Sequence, residues 1–342
     1  MESKPKLSRF GVGKLPPEHL ARLLALAPSG DPRLIVGGRI GEDAAVIDLG
    51  DRYLVAKTDP ITFAVEKIGW YAVHINANDI ATTGADPRWF LAALLLPEGA
   101  THAELIEEIF SDILAACREL GVTLCGGHTE ITHDLARPIV VGQMLGEVAK
   151  DQLLRKDSLQ PGDVILLTRG AAIEGTAVLA REQRAELSGK VAATVLDAAR
   201  KFLFDPGISV VGAARAAARC AKAMHDPTEG GVLAGLLELA LAASLGIMVS
   251  ADPIPVFPET REICSALGLD PLALLASGAL LIGVAPDQVG RAIESLRSQG
   301  IPTTVVAELR PREDGHWLRR GGELKELQFP ERDELARLLE QQ

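Results

Sequence analysis

Acidic side chains stand beside apolar, strand-like runs in the first half of the chain, and this feature most constrains how the chain can fold. Asp43 and Asp59 adjoin two such runs. Asp79 lies in a segment rich in Ala and Ile, and Glu130 follows a pair of glycines. An isolated charge beside a buried segment is costly unless it is paired or binds a cation. We therefore expect the four carboxylates to gather around hard metal ions and the phosphates of a nucleotide.

Strand-like and helix-like segments alternate through the first half in the order β-β-α-β-α-β-β. A helix predicted at 66–83 has Gly84 just beyond its end. Thr101 and Glu104 form a capping box at the start of the next helix, which Gly121 ends. This order is typical of an α+β layer in which helices cover one face of a sheet. The predicted strands are 44–48, 53–58, 89–96, 122–125 and 138–145.

A change of composition near residue 150 predicts a domain boundary. A polar stretch there leads into the turn Pro161-Gly162-Asp163. The length of 342 residues also favours two domains, which we place at 1–150 and 151–342. The second half has predicted helices at 191–202, 209–221, 230–245 and 331–340, and strands at 164–168, 246–250, 279–284 and 303–309.

Charge and hydropathy exclude several classes of protein. The net charge of -11 disfavours a nucleic-acid partner, which would need a basic face. The most apolar window, 230–251, contains Glu238 and is broken by Gly246, so it predicts a buried helix and a strand rather than a membrane span. The first six residues lack the apolar core of a signal peptide. None of the four cysteines has C-x-x-C spacing, so we expect reduced thiols in a cytoplasmic protein; they are Cys117, Cys125, Cys220 and Cys264.

The run from Cys125 to Glu130 is the strongest candidate for a ligand-binding loop. Gly126 and Gly127 would expose backbone N–H groups at the end of a strand, while Thr129 and Glu130 add a hydroxyl and a carboxylate. That combination can hold phosphate and Mg²⁺. No Walker A or Rossmann glycine motif occurs in the sequence. Two histidines of the region are candidate general bases, with polar surface as the alternative; they are His128 and His133.

Further candidates depend on their position relative to predicted elements. Thr58 and Asp59 end a strand, where layered folds commonly bind ligands. The turn at 41–43 brings a glycine and two carboxylates, or else is a solvated loop. Asn78 and Asp79 are unexpected in a helix interior, although a polar helix face would explain them. The segment 225–231 opens a helix that Asp226 or Thr228 could cap, leaving N–H groups for an anion or forming a plain N-cap. Lys14 either touches phosphate or belongs to a leader.

The order of these motifs carries more information than any one of them. It resembles the aminoimidazole ribonucleotide (AIR) synthase-related superfamily, also called PurM-like, and within it the HypE-like proteins of hydrogenase maturation. The resemblance runs from about Lys14 to Leu309. The motifs are Gly-Glu-Asp-Ala-Ala-Val from 41, Thr-Asp from 58, Asn-Asp from 78, Gly-Gly-His-Thr-Glu from 126, Asp-Pro-Thr-Glu-Gly-Gly from 226 and Ser-Gly-Ala-Leu from 277.

The resemblance implies a fold, a cofactor and a set of site residues. The fold would be α+β and PurM-like, with two domains: an N-terminal sheet that pairs across a homodimer into a β-barrel, and a C-terminal α/β sandwich. ATP and Mg²⁺ would lie in a cleft beside the barrel. By position, the implied metal ligands are Asp43, Asp59, Asp79 and Glu130. The expected cofactor contacts are Lys14, Gly41, Lys57, Thr58, Asn78, Gly126, Gly127, His128, Thr129 and Thr228, and the catalytic candidates are His128 and Asp226.

Departures from the HypE pattern leave the reaction open. HypE carries a C-terminal cysteine that receives a carbamoyl group, whereas the last cysteine here is Cys264. We expect an ATP-dependent enzyme of the ligase, dehydratase or kinase type, in which phosphoryl transfer activates an oxygen of a small-molecule acceptor. The alternatives are a kinase resembling thiamine-monophosphate kinase and a nucleotide-binding maturation partner without turnover. Expected partners are a second copy of the chain and a maturation-factor protein, with no nucleic acid or membrane.

Overall fold

Two β-sheets organise the chain, one in each half of the sequence. The computed structural model describes residues 10–11, 13–27, 30–330 and 333–339. The predicted mixed α+β architecture is confirmed, whereas the predicted division at residue 150 stays a prediction. The predicted terminal helix is described only as Glu334–Leu339, and the first six residues lie outside the described part of the chain.

The first-half sheet has six strands in the order β1-β2-β3-β6-β4-β5. Only β4 and β5 pair in parallel, and the other neighbours are antiparallel. This order puts β5 at one edge, three strands away from β3. The strands are β1 (Leu34–Val36), β2 (Ala45–Asp48), β3 (Arg52–Ile61), β4 (Asp86–Pro97), β5 (Thr123–Thr132) and β6 (Ile139–Ala149).

Helix α2 lies between the two halves. The helices of the first half are α1 (Pro17–Leu24), α2 (Ile68–Thr82) and α3 (Ala103–Leu120). All residues of α2 except Trp70 are buried, because the helix packs on the first sheet, on α3 and on the second half of the chain. A helix that is apolar all round is expected to be enclosed in this way. Polar groups within α2 must therefore find partners inside the protein or face a ligand.

Two sequence predictions in the first half are wrong. Helix α3 is capped by His102, whose Nδ1 accepts a hydrogen bond from the N–H of Leu105 at 3.3 Å. The hydroxyl of Thr101 donates instead to the carbonyl of Pro97 at 2.7 Å, so the predicted capping box does not form. The run from 125 to 130 is not a loop, because it continues β5 and pairs with β4 along its length.

The second-half sheet has seven strands in the order β13-β12-β9-β11-β7-β10-β8. Its strands are β7 (Val164–Thr168), β8 (Ala221–His225), β9 (Gly246–Ser250), β10 (Leu281–Val284), β11 (Thr303–Arg310), β12 (His316–Arg320) and β13 (Glu323–Glu326). Its helices are α4 (Ile173–Glu182), α5 (Arg184–Leu187), α6 (Ala193–Arg200), α7 (Val211–Ala217), α8 (Gly231–Ala242), α9 (Pro258–Leu267), α10 (Val289–Ser298) and α11 (Glu334–Leu339).

Strand β8 corrects the predicted helix at 209–221. The helix ends at Ala217, and the chain then pairs antiparallel with β10, which places His225 opposite Leu281. The predicted helix is thus four residues too long at its end, and the strand that follows was not predicted. The consequence is functional, since β8 delivers His225 and Asp226 to the boundary between the halves. No helix in the described part of the chain is long and apolar enough to span a bilayer.

Candidate functional site

A cleft with a cavity of about 880 Å³ opens between the two halves of the chain. The second half of β3, the end of β8, the C-terminal part of α2 and one face of α8 all reach it. The structure thus gathers motifs that are far apart in sequence. Of the predicted site residues, the lining includes Lys14, Gly41, Asp43, Lys57, Asp59, Asp79, Asp226 and Thr228.

Asp43 is held by two cationic partners from the second half. Its Oδ2 lies 2.9 Å from Lys156 Nζ, and its Oδ1 lies 2.6 Å from His225 Nδ1. Burial alone would raise the pKa of Asp43, but His225 and Lys156 outweigh it and hold the pKa below its usual value. Lys156 also donates to the carbonyl of Gly41. Asp43 is therefore an ionised carboxylate whose two oxygens are already paired.

His225 extends this network to a second carboxylate. Its Nε2 lies 3.0 Å from Glu238 Oε2 on α8, while Nδ1 faces Asp43. Burial lowers the pKa of His225, yet Asp43 and Glu238 raise it above the ordinary value overall. An imidazole between two carboxylates is best satisfied as the imidazolium, because both nitrogens then donate. His225 was not a predicted site residue, although it directly precedes the Asp226 motif.

Lys57 occupies the space between Asp59 and Asp79. Its Nζ lies 3.4 Å from Asp59 Oδ2 and 3.1 Å from Asp79 Oδ1. Burial raises the pKa of Asp79 to about 7, with Lys57 opposing the rise. The other oxygen of Asp79, Oδ2, is buried without a hydrogen-bond partner among the described residues.

Asp226 is buried in the cleft without a hydrogen-bond partner among the described residues. The residue is 2% exposed, and neither carboxylate oxygen has a partner within the described part of the chain. Burial raises its pKa well above the usual range, and the neighbouring charge of Asp79 adds to the effect. A buried carboxylate with no partner is costly, so such a group marks a place where a cation or ligand is expected.

Lys14 closes one side of the cleft. Its Nζ lies 3.0 Å from the hydroxyl of Thr228 and 3.0 Å from Glu229 Oε2. The Lys14 side chain is 53% exposed and that of Glu229 is 29% exposed. Partial burial opposes both charges, but their pairing raises the pKa of Lys14 and lowers that of Glu229 to about 2. An ammonium at this position could contact a phosphate that enters the cleft.

Asp226 and Thr228 do not cap α8 as the sequence predicted. The N-cap is Gly230 at φ 79°, and its backbone N–H donates to Asp333 Oδ2 at 2.8 Å. A side chain on Gly231, at φ 69°, would come within 2.4 Å of the carbonyl of Leu272. The two glycines give the chain its tight entry into α8, and Asp226 is thereby left free to face the cleft.

Two predicted cofactor contacts have structural partners instead. The hydroxyl of Thr58 donates to the carbonyl of Gly142 in the neighbouring strand at 2.9 Å. Asn78 donates to the carbonyl of Ile208 and accepts from the N–H of Val210, each at 2.8 Å. Because both ends of its amide are used, Asn78 ties α2 to the second half of the chain. Neither residue lines the cleft.

The predicted phosphate segment of β5 lies apart from the cleft. Three strand spacings, roughly 14 Å, separate β5 from β3 within the sheet. His128 Nε2 pairs with Glu130 Oε2 at 3.0 Å, and both side chains are largely exposed. A Cβ on Gly127 would lie 2.0 Å from the carbonyl of Ala92, so close packing on β4 requires this glycine. His133 pairs with Glu98 on the exposed surface, as the alternative of polar surface expects.

A smaller cavity, which the sequence did not reveal, adjoins the cleft. It has a volume of about 30 Å³ and shares Asp59, Thr228 and Glu229 with the larger one. Glu174 and Ser277 line its inner end, where Glu174 Oε2 and Ser277 Oγ are buried without partners among the described residues. Burial raises the pKa of Glu174 to about 8. The nearby Ser277 hydroxyl opposes this rise, but no hydrogen bond of regular geometry joins the two.

Two family models match the chain, one in each half of the sequence. The model of the AIR synthase related protein N-terminal domain matches residues 41–148, and that of the C-terminal domain matches residues 160–317. The protein belongs to the AIR synthase-related superfamily of enzymes. Within it, the similar proteins are HypE-like, as the motif order predicts.

Sequence relatives and solved structures agree on this placement. The chain is 31% identical over 256 residues to the carbamoyl dehydratase HypE of Rhizobium leguminosarum bv. viciae, covering 73% of this chain and 71% of that protein. It is 29% identical over 273 residues to a putative hydrogenase expression/formation protein of Methanocaldococcus jannaschii, covering 77% and 78%. The crystal structure of E. coli HypE matches with a TM-score of 0.72 and 25% identity, covering 94% and 99%. A HypE structure in complex with ATP matches with a TM-score of 0.68 and 25% identity, covering 95% and 98%.

Proposed function

We propose that this chain is a magnesium- and ATP-dependent HypE-like enzyme that activates an oxygen of a small acceptor by phosphoryl transfer. The observation that carries the proposal is the buried, unpartnered carboxylate of Asp226, which lines the large cleft together with Asp79. The ATP complex of a similar HypE supports nucleotide binding in this fold. The carbamoyl dehydratase name of several relatives supports the reaction class.

The donor set of the cleft fits a hard divalent cation. Free carboxylate oxygens on Asp79 and Asp226 are the kind of ligand that Mg²⁺ prefers. Asp43 and Asp59 are the other two predicted ligands that line the cleft, and in the structure each carboxylate lies beside a lysine. When bound, ATP would supply the phosphoryl group, and Mg²⁺ would neutralise the charge of the phosphates. Lys14 and Thr228 would bind and orient phosphate oxygens at the mouth of the cleft.

The smaller cavity favours an amide as the acceptor. No Lys or Arg is among its described lining residues, whereas Asp59, Glu174 and Glu229 are. An acceptor carboxylate or phosphate would be repelled by these groups. A neutral Glu174 carboxyl can donate one hydrogen bond and accept another, which matches the carbonyl and N–H₂ of a primary amide. A cavity of this volume holds about two water-sized groups. The carbonyl oxygen and the N–H₂ group of a primary amide are two groups of that size.

The cysteines argue for an acceptor that is not a thiol of the described chain. Cys264 is buried, and burial raises its pKa to about 12. A buried thiol of this kind is inert as a nucleophile. The other three cysteines, Cys117, Cys125 and Cys220, line neither the cleft nor the smaller cavity of their own chain. The amide is therefore proposed to belong to a separate molecule, and the predicted maturation-factor partner stays a prediction.

A homodimer is the proposed route by which the β5 residues join the site. Strand β5 is an exposed edge along almost its whole length, and such edges are normally covered. Glu130 and the segment from Gly126 to Thr129 can serve as metal and phosphate contacts if a second copy brings them to the cleft. Sedimentation at micromolar concentration tests this proposal, since a monomer would leave those five residues without a role at the site.

Turnover with a panel of acceptors tests the reaction class. Phosphate release from ATP with Mg²⁺ should rise with primary amides, and Glu174→Gln should lose most of that increase while still binding nucleotide. Stimulation by alcohols or phosphate esters would favour the kinase alternative. Tight ATP binding without phosphate release across the panel would favour the maturation partner without turnover.

A further inference from the structure

The acidic cleft contains an ammonium group at a position where metal ligands were predicted. Lys57 Nζ lies 3.4 Å from Asp59 Oδ2 and 3.1 Å from Asp79 Oδ1. We propose that Lys57 takes the permanent place of a divalent cation between Asp59 and Asp79, so that the chain itself binds a single divalent ion in this cleft. This inference rests on the proposed function of the same site.

The backbone holds Lys57 in this position. Lys57 and Asp59 are two residues apart on β3, so their side chains project from the same face of the sheet. Asp79 comes from the buried helix α2 on that face. Only 20% of the Lys57 side chain is exposed, and that of Asp79 only 7%, so the pair is shielded from solvent. An ammonium group is a compact point charge that suits a gap between two carboxylates.

The free oxygens of the cleft then define one remaining position. Both oxygens of Asp43 are occupied, one by Lys156 and one by His225. Among the described side chains of the cleft, unpartnered buried carboxylate oxygens belong only to Asp79 and Asp226. Asp79 thus presents one oxygen to Lys57 and keeps the other without a partner, while both oxygens of Asp226 are free. Ligand atoms of Asp43, His225 and Asp226 lie within 4.8 Å of one another, so a single divalent ion is proposed beside Asp226. A second ion between Asp59 and Asp79 would be repelled by the Lys57 ammonium.

Counting bound Mn²⁺ tests the inference without any activity measurement. Electron paramagnetic resonance of free Mn²⁺ gives the number of ions bound by the full chain in the absence of nucleotide. The wild type and Lys57→Arg should each bind one ion per chain. Lys57→Met should bind two, because the Asp59–Asp79 pair then needs a new cation. The matched control is Lys150→Met, which removes an ammonium that pairs with Asp48 on the surface at 2.7 Å, and it should bind one.

Specific outcomes would overturn the inference. Two ions or none on the wild-type chain would contradict it directly, as would a single ion on folded Lys57→Met. If Lys57→Met does not fold, the counts for the wild type and Lys57→Arg still decide. Binding of an ATP analogue by the same preparation separates this result from the proposed function. If the wild-type chain binds two Mn²⁺ ions and also binds the ATP analogue, the proposed ATP-dependent function stands. The proposed role of Lys57 in place of a cation is then wrong.

Discussion

His225 Nδ1 lies 2.6 Å from Asp43 Oδ1, across the boundary between the two halves of the chain. Lys156 Nζ reaches the other oxygen of the same carboxylate at 2.9 Å. Asp43 precedes β2 in the first sheet, whereas His225 ends β8 in the second. This buried charge network therefore links the two sheets at the floor of the cleft, and it positions Asp226, the next residue after His225.

Removing the ammonium of Lys156 should destabilise the fold. Lys156→Met would leave Asp43 buried beside a single partner, and breaking a buried ion pair from one side costs about 3–5 kcal/mol. Urea unfolding should show a loss of this order. Lys150→Met, which breaks an exposed pair with Asp48, should cost at most about 1 kcal/mol. If both variants lose the same free energy of unfolding, the buried pair of Lys156 and Asp43 does not stabilise the fold more than the surface pair does.

Acid should destabilise the protein partly through His74. Burial lowers the pKa of His74 to about 3, from an ordinary value of 6.5. The folded state thus holds His74 neutral while the unfolded state takes up a proton below pH 6.5, so this contribution is lost as pH falls from 6.5 towards 3. Glu119 Oε1 lies 3.8 Å away but is half-exposed, and it does not offset the burial.

His74→Phe should flatten that dependence, since the ring would keep its packing on Trp70 without a titrating group. Unfolding free energies of both proteins between pH 6.5 and pH 5 give the comparison. The wild type should lose up to about 1.4 kcal/mol more per pH unit than the variant. Parallel pH profiles for the two proteins would show that His74 does not carry this effect.

Asn78→Ala distinguishes a structural role from a cofactor contact. The variant loses two buried hydrogen bonds between α2 and the segment 208–210, so we expect about 1–3 kcal/mol of lost stability. The dissociation constant of a Mg·ATP analogue should stay within about twofold of the wild type. A variant of unchanged stability whose nucleotide affinity falls tenfold would restore the sequence-based prediction for Asn78.

Local patterns predicted the elements of the first half better than the contacts between the halves. The apolar run around Asn78 and the glycines after α2 and α3 predicted those helices within a few residues. The strand β8 was missed, because Ala221–His225 contains no β-branched residue and its pairing with β10 is a tertiary contact. The predicted cap of α3 was one residue too early, at Thr101 instead of His102. Both side chains can make local hydrogen bonds, and the sequence pattern does not show which of these bonds forms.

The sequence predicted three acids and two lysines of the cleft, and it missed Lys156 and His225. Asp43 precedes β2, Asp59 lies in β3 and Asp79 lies in the buried helix α2, and all three reach the cleft with Lys14 and Lys57. Tertiary packing brings Lys156 and His225 to Asp43 from the second half, and a local pattern does not show such contacts. Glycines in β5 looked like a phosphate loop, although close packing against Ala92 explains Gly127.

Calorimetric titration of wild type and Asp226→Asn with a non-hydrolysable ATP analogue, with and without Mg²⁺, shows whether Asp226 belongs to a Mg·ATP site. Asp48→Asn, at the surface, is the matched control. The account predicts Mg²⁺-dependent binding by the wild type and the control, and at least a tenfold weaker affinity for folded Asp226→Asn, about 1.4 kcal/mol or more. Equal affinity of the wild type and Asp226→Asn in the presence of Mg²⁺ would contradict it.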